Sequence, residues 1–153
     1  MVGENFAGNI IVNLASLPDF LRNQILKKRM IEFFTLGESE KNEVINNALE
    51  AGPTIPFLNF SKLFKTWLKI LTTLSEEQRE GIFSAYITEV ANSPQKLITF
   101  NLDGILEIFL TLEENEKEII ADTVKRIINN LDENSKRKML LVIPDNAKIH
   151  LKF

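Results

Sequence analysis

The feature that most constrains the fold is a phrase that recurs three times at a fixed interval along the chain. The sequence reads TLGESEKN at 35–42, TLSEEQRE at 73–80 and TLEENEKE at 111–118. In each copy a threonine precedes a glutamate by three residues. This spacing is typical of the capping box, in which the threonine hydroxyl and the glutamate carboxylate satisfy backbone N–H groups at a helix start. The predicted capping pairs are Thr35–Glu38, Thr73–Glu76 and Thr111–Glu114.

Halving the interval between copies uncovers a finer repeat. Side chains that suit an N-cap stand at every step, namely at Ser16, Thr35, Thr54, Thr73, Asn92, Thr111 and Asn130. Proline follows two residues later in alternate steps, at Pro18, Pro56 and Pro94. The first turn of a helix tolerates proline because its N–H groups have no intrahelical partner. We therefore predict that Pro-start helices alternate with capping-box helices.

The interiors of these elements predict the fold class. Apolar pairs recur four residues apart, as in Ile82/Phe83 and Tyr86/Ile87, so they share one face of a helix. Short turns between helices of equal length favour antiparallel neighbours. The predicted fold is all-α, with one helix every ~19 residues and one antiparallel hairpin every ~38 residues, a period typical of helical repeat proteins. We expect a compact right-handed α-solenoid or bundle of seven to eight helices, counting one helix before Ser16.

The repeat also predicts the domain organisation. We expect one domain over residues 1–153, with a closing helix that stops before Pro144. The predicted segments are hairpins at about 16–53, 54–91 and 92–129, the closing helix at 130–143 and a C-terminal tail at 144–153. Gly52 is predicted to end its helix in the left-handed conformation, with Pro53 beyond it. Alternative caps at Asn59, Ser61 and Asn101 would delay two of the helix starts.

A resemblance to known families rests on this pattern. The repeated helical hairpin with proline in its first turn resembles the HEAT class of α-solenoid. The segment ILTTLSEEQREGIF at 70–83 is similar to the helical units of magnesium-transporter N domains and of flagellar motor-switch proteins. The resemblance covers about residues 16–143. It implies a scaffold that binds other macromolecules, and it carries over no individual site residue.

Composition argues against several kinds of function. A net charge of −3 and a pI near 5.3 argue against nucleic-acid binding, which needs a surplus of basic residues. The chain has no cysteine and a single histidine, His150, which we interpret as a solvated tail residue rather than a metal ligand. The acidic run at 113–118 is interpreted as part of a helix start. No phosphate-binding loop or nucleophile motif occurs, so we predict no enzyme activity, no metal and no cofactor.

The sequence also predicts the localisation of the protein. The N-terminus MVGENFAGNIIVNLAS lacks the basic region of a signal peptide. No apolar run reaches the ~18 residues that a membrane span needs. We therefore expect a cytoplasmic protein without a membrane span.

Three basic clusters are also candidate binding sites. They are KKR at 27–29, KRK at 136–138, and Lys62, Lys65 and Lys69 on one helix face. Each could bind a polyanion or an acidic partner. In a chain that is acidic overall, a solvated face is the simpler interpretation.

The second and third Pro-start elements are apolar nearly all round, which predicts burial on every side. They form either a closed core or an apolar groove for a partner.

The leading hypothesis is a non-enzymatic protein–protein interaction or scaffold module, with self-association as a homodimer as one form of it. The candidate binding residues are Phe57, Phe60, Phe64, Trp67 and Phe100. The alternative is a carrier of a lipid or other apolar small molecule in a Phe-lined cavity. A metal-dependent enzyme is the third hypothesis.

Overall fold

The computed structural model describes the backbone from Phe6 to Phe153 and the side chains from Asn9 onward. Within this range the regular secondary structure is entirely helical, which confirms the predicted all-α class. The α-helices are α1 (Phe6–Ala15), α2 (Asp19–Phe33), α3 (Glu38–Ala51), α4 (Phe57–Thr73), α5 (Glu76–Asn92), α6 (Gln95–Ile98), α7 (Leu102–Leu110), α8 (Glu114–Asn129), α9 (Glu133–Val142) and α10 (Asp145–Leu151). A short 3₁₀ helix, Gly52–Thr54, separates α3 from α4.

The helix starts keep a fixed spacing. The starts of α2, α3, α4, α5, α6, α8 and α9 fall at residues 19, 38, 57, 76, 95, 114 and 133. The predicted helix before Ser16 is confirmed as α1 within the described residues, and the predicted stop before Pro144 is confirmed by the end of α9. The hairpin and solenoid arrangement stays a prediction.

The predicted number of helices was too low, for two reasons. The third Pro-start element is divided into α6 and α7 because Asn101 starts a new helix, its side chain accepting a hydrogen bond from the Gly104 N–H at 2.9 Å. The predicted C-terminal tail contains α10, which begins after Pro144 and carries an ion pair between Lys148 and Asp145 at 3.3 Å.

The threonines of the repeat cap the C-terminal end of the preceding helix, whereas they were predicted to cap the N-terminal end of the following helix. The hydroxyls of Thr35, Thr73 and Thr111 each donate to the carbonyl three residues earlier at 2.6 Å. Thr54 does the same at 2.6 Å and Ser16 at 2.9 Å. The last carbonyls of a helix have no intrahelical donor, so these hydroxyls satisfy them. The prediction of threonine N-caps was therefore wrong.

The actual N-caps lie two residues further along. Ser75 accepts from the Gln78 N–H at 3.1 Å, and the Gln78 side chain accepts from the Ser75 N–H at 3.3 Å, which completes a capping box for α5. In α8 the Glu116 carboxylate accepts from the Glu113 N–H at 3.0 Å. Asp132 caps α9 by accepting from the Ser135 N–H at 2.8 Å. Proline also lies at an N-cap, since the Pro18 carbonyl accepts from the Arg22 N–H at 2.9 Å.

Two other local predictions were wrong. Gly52 lies at φ −49°, ψ −52° in the right-handed region, and it begins the 3₁₀ helix rather than a left-handed cap. Helix α4 begins at Phe57 without delay, and the Ser61 hydroxyl donates to the Phe57 carbonyl at 2.8 Å instead of capping. Of the three alternative caps, only Asn101 starts a helix.

Contacts divide the chain into two compact units, one ending at Trp67 and the other running from Leu68 to Phe153. In the first unit α1 packs on α3 and contacts α2. In the second unit α5 packs against α8 and α9, and α10 packs on α8. The expectation of a single domain stays a prediction. Apolar side chains that are at most 3% exposed include Leu14, Ala15 and Ile45 in the first unit and Leu68, Ile70, Leu71, Ile82, Ala91, Ile120 and Ile128 in the second.

One arginine joins three helices of the second unit. Arg79, in the first turn of α5, donates to the Leu71 carbonyl at 3.2 Å and the Leu74 carbonyl at 3.0 Å, at the end of α4. Its Nε donates at 3.0 Å to the hydroxyl of Thr123 on α8. That buried hydroxyl donates in turn to the Ile119 carbonyl at 2.9 Å. Arg79 therefore donates to the Leu74 carbonyl, adds a second donor to the Leu71 carbonyl, which already accepts from the Leu74 N–H at 3.2 Å, and contacts a second helix beside it.

Replacing Ser75 tests the reassigned caps. We expect Ser75→Ala to lower the free energy of unfolding by about 1 kcal/mol, and Ser75→Asp to preserve it, because aspartate caps equally well. Thr73→Ala removes only a neutral hydrogen bond and should cost about 0.5 kcal/mol. Urea unfolding followed by circular dichroism measures all three. A larger loss for Thr73→Ala than for Ser75→Ala would contradict the assignment.

Replacing Arg79 tests the three-helix contact. We expect Arg79→Ala to cost about 2–3 kcal/mol, because buried carbonyls lose a charged donor. Arg79→Lys should recover only part of this, since an ammonium cannot reproduce the fork of donors. Thr123→Val supplies the second arm of a double-mutant cycle. A coupling energy near zero between the two positions would show that the 3.0 Å contact contributes nothing.

Candidate binding surfaces

Four of the five predicted binding residues form a continuous row on α4. Phe57, Phe60, Phe64 and Trp67 follow each other at three- or four-residue intervals, so they share one helix face. Their ring centroids are 6.0, 5.5 and 5.7 Å apart in order along the helix. The Phe60–Phe64 and Phe64–Trp67 rings are stacked, with interplanar angles of 13° and 27°, whereas the Phe57–Phe60 pair is tilted at 30°. We call this set the α4 aromatic row.

Exposure varies along the α4 aromatic row and is greatest at its first residue. Phe60 is buried, Phe64 and Trp67 are half-buried, and Phe57 keeps 39% of its surface exposed. The neighbouring Leu58 is 72% exposed. The first turn of α4 therefore presents two adjacent large apolar side chains to solvent.

Burial of the central elements on every side was predicted, and this was wrong. Besides Leu58 on α4, Ile98 at the end of α6 is 68% exposed and Leu110 at the end of α7 is exposed. On the same elements, Leu71 of α4 and Ile108 of α7 are buried. Composition could not reveal this difference, because it does not say which part of a helix packs against a neighbour.

The fifth predicted residue, Phe100, belongs to the second unit. It lies half-buried in the connection between α6 and α7. The structure therefore places four predicted residues in the α4 aromatic row and Phe100 on a different element.

Exposed apolar residues that the sequence interpretation missed share a repeat position. Phe20 and Leu58 are each the second residue of a Pro-start helix, and both are exposed. The signal was present in the sequence, since each stands two residues after Pro18 or Pro56.

The sequence interpretation also missed a repeat position that is occupied by basic residues. Lys41, Arg79 and Lys117 each stand at the fourth position of their helix, in α3, α5 and α8. Arg79 makes the three-helix contact, and Lys41 lies over the Phe33 ring at 5.6 Å. This position of the capping-box helices therefore carries a cation that packs against a neighbouring element in two of its copies.

Charged groups on α5 and α8 form a local network. Arg126 pairs with Glu76 at 2.6 Å and also donates to Glu80. The hydrogen bond to Glu80 raises the pKa of the Arg126 guanidinium, and the charge of Glu76 acts in the same direction. A shallow groove along α8 is lined by Asp122, Lys125, Arg126, Asn129 and Asn130. Its lining is polar, unlike the Phe-lined cavity of the carrier hypothesis.

Most of the acidic run at the start of α8 is engaged structurally. Glu114 pairs with Lys117 at 2.7 Å, and Glu116 pairs with Lys69 at 3.2 Å while it caps the helix. Among the described residues no three His, Asp or Glu side chains converge as a metal site would require. His150 is exposed and its ring centroid lies 6.5 Å from that of Phe109.

None of the helices between Phe6 and Phe153 has the length and apolar character needed to span a bilayer.

Comparison with known proteins finds no matching family model, no matching curated protein and no matching solved structure. The resemblance to HEAT-like and related helical repeats therefore stays a prediction.

Tyr86 gives a pH prediction. Desolvation by burial raises the pKa of this tyrosine from its ordinary value near 10 to about 12. The unfolded chain releases the phenolic proton near pH 10 while the folded chain retains it, so stability is full below pH 10 and falls as the pH rises toward 12. We expect a loss of about 2 kcal/mol from this group.

Tyr86 is the only tyrosine, so the rise in absorbance at tyrosinate wavelengths measures its ionisation directly. The Tyr86→Phe variant serves as the control, because it should lose less stability between pH 10 and 12 than the parent chain. Ionisation near pH 10 in the folded protein would contradict the burial of the phenol.

Proposed function

We propose that this protein is a non-enzymatic, cytoplasmic interaction module that binds an apolar helix of a partner protein at the start of α4. The observation that carries the proposal is the exposure of Phe57 and Leu58 side by side in one helical turn. Exposed large apolar groups next to each other on a folded protein favour an interaction site. A second copy of the chain, which would make a homodimer, is the other occupant that the experiments below identify.

The α4 aromatic row supports this choice of surface. Phe57 contacts Phe60 at a tilted angle and Phe60 stacks on Phe64, so the exposed ring is held by a row whose inner members are more buried. A ring fixed in this way loses little conformational freedom on binding. Aromatic side chains that are held rigid make effective anchors in protein interfaces.

The chemistry of the surroundings favours an amphipathic helix as the occupant. Leu58, Lys62 and Lys65 follow one another on α4 at helical spacing. An apolar stripe beside a basic stripe suits a partner helix with one apolar face and flanking acidic residues. Phe57, the exposed end of the row, and Leu58 would contact the apolar face.

Site-specific crosslinking tests the proposal. Ser61 lies one turn after Phe57 and Leu58, so a photoreactive benzoylphenylalanine at position 61 should crosslink whatever covers them. We expect a discrete protein adduct after irradiation in cells, identified by mass spectrometry. Adding Leu58→Glu should abolish the adduct without unfolding the chain, because Leu58 is exposed.

A matched control separates a specific site from general apolar contact. Ile98→Glu makes the same chemical change at a residue of similar exposure in the second unit, and it should leave the adduct unchanged. An adduct of twice the chain mass would identify self-association. No adduct, or one that survives Leu58→Glu, would refute the proposed site. A bound small molecule of a few hundred daltons in native mass spectrometry would favour the carrier instead.

A further inference from the structure

A second candidate binding surface lies on α9 and α10. A groove there is lined by Glu133, Lys136, Arg137, Leu140, Leu141 and Lys148. The α9 members follow one another at three- or four-residue spacing or as direct neighbours, so they occupy one side of that helix, and Lys148 comes from α10. We call this the α9–α10 groove.

The apolar part of this region is unusually exposed. Leu141 keeps 79% of its surface exposed, and Ile149 on α10 keeps 74%. Apolar groups that project beside a concave surface can enter the apolar face of a partner. The exposure of these apolar side chains does not by itself identify the partner.

The distribution of charge indicates which kind of partner this surface would bind. Residues 133–153 contain five Lys or Arg and two Asp or Glu, whereas residues 68–132 contain six basic and twelve acidic residues. Lys148 pairs with Asp145 at 3.3 Å, but within the part of the chain that the structure describes no ion pair joins Lys136 or Arg137 to a carboxylate. The groove is therefore a basic site in an acidic protein, with two cations available for a partner's carboxylates.

We infer that the α9–α10 groove binds an acidic amphipathic segment of a partner protein. Its apolar residues would contact Leu140 and Leu141, and its carboxylates would pair with Lys136, Arg137 and Lys148. This site is separate from the α4 surface proposed above, since Phe57 and Leu58 belong to the first unit and the residues of α9 and α10 belong to the second.

A protein segment fits the groove better than a membrane or a nucleic acid. Glu133 also lines the groove, and it would repel a uniformly anionic polymer or lipid surface. A peptide can place a neutral or basic residue there while it keeps its carboxylates beside Lys136 and Arg137.

Nuclear magnetic resonance of the isotope-labelled full chain tests the inference. The probe is a peptide of roughly 16 residues with leucines on one helix face and flanking glutamates, long enough to form a helix on binding. We expect amide shifts in 133–153 as a set separate from any shifts at the start of α4, with a Kd of roughly tens to hundreds of micromolar that weakens as salt is added. A matched peptide with lysine in place of each glutamate should not bind.

Variants locate the interaction. Lys136→Glu combined with Arg137→Glu should weaken binding at least about tenfold, because two attractive pairs become repulsive. Leu141→Ser should weaken it while the fold is retained, since Leu141 is exposed. The control is Lys27→Glu combined with Lys28→Glu, an equal charge change on two exposed residues of α2, which should leave the Kd within about twofold.

Three results would overturn the inference. The first is the absence of shifts in 133–153 at millimolar peptide. The second is equal binding of the lysine peptide. The third is binding of phosphatidylserine vesicles without binding of the acidic peptide, which would reassign the groove to an anionic membrane surface.

Discussion

The unpaired backbone groups at helix ends are the constraint on which the described structure depends. A chain of short helices has many such ends, and each leaves carbonyls and N–H groups without intrahelical partners. Threonine hydroxyls satisfy the carbonyl ends, and Ser75, Glu116 and Asp132 satisfy the N–H ends. At the end of α4 Arg79 shares this task with Thr73, and it also holds Thr123 of α8. The group that closes one helix thereby positions another.

The sequence predicted where helices lie better than it predicted how they end. The all-α class followed from apolar spacing, and the regular recurrence of polar cap residues matched the spacing of helix starts. A threonine three residues before a glutamate can cap the end of one helix or the start of the next, because both roles use the same hydroxyl. The deciding information was the short turn between Thr73 and Glu76, in which Ser75 is the better N-cap.

The candidate sites were only partly accessible from sequence. Helical spacing predicted the α4 aromatic row, because residues three and four apart must meet on one face. It could not predict exposure, which depends on which neighbours reach each turn; Phe60 is buried while Leu58 is open. The sequence predicted the basic cluster at 136–138 as a candidate site but not the groove, because Lys148 comes from α10, in a segment that was predicted to be a tail.

The distribution of chromophores has a practical consequence for the two units. The only tryptophan, Trp67, is the last residue of the first unit, and the only tyrosine, Tyr86, lies in the second. Tryptophan emission and tyrosine absorbance therefore report on separate units in one unlabelled sample. Because the chain has no cysteine, a single introduced cysteine adds a third reporter at any chosen exposed position. Whether the units unfold in one cooperative transition or in two can thus be followed optically in the intact protein.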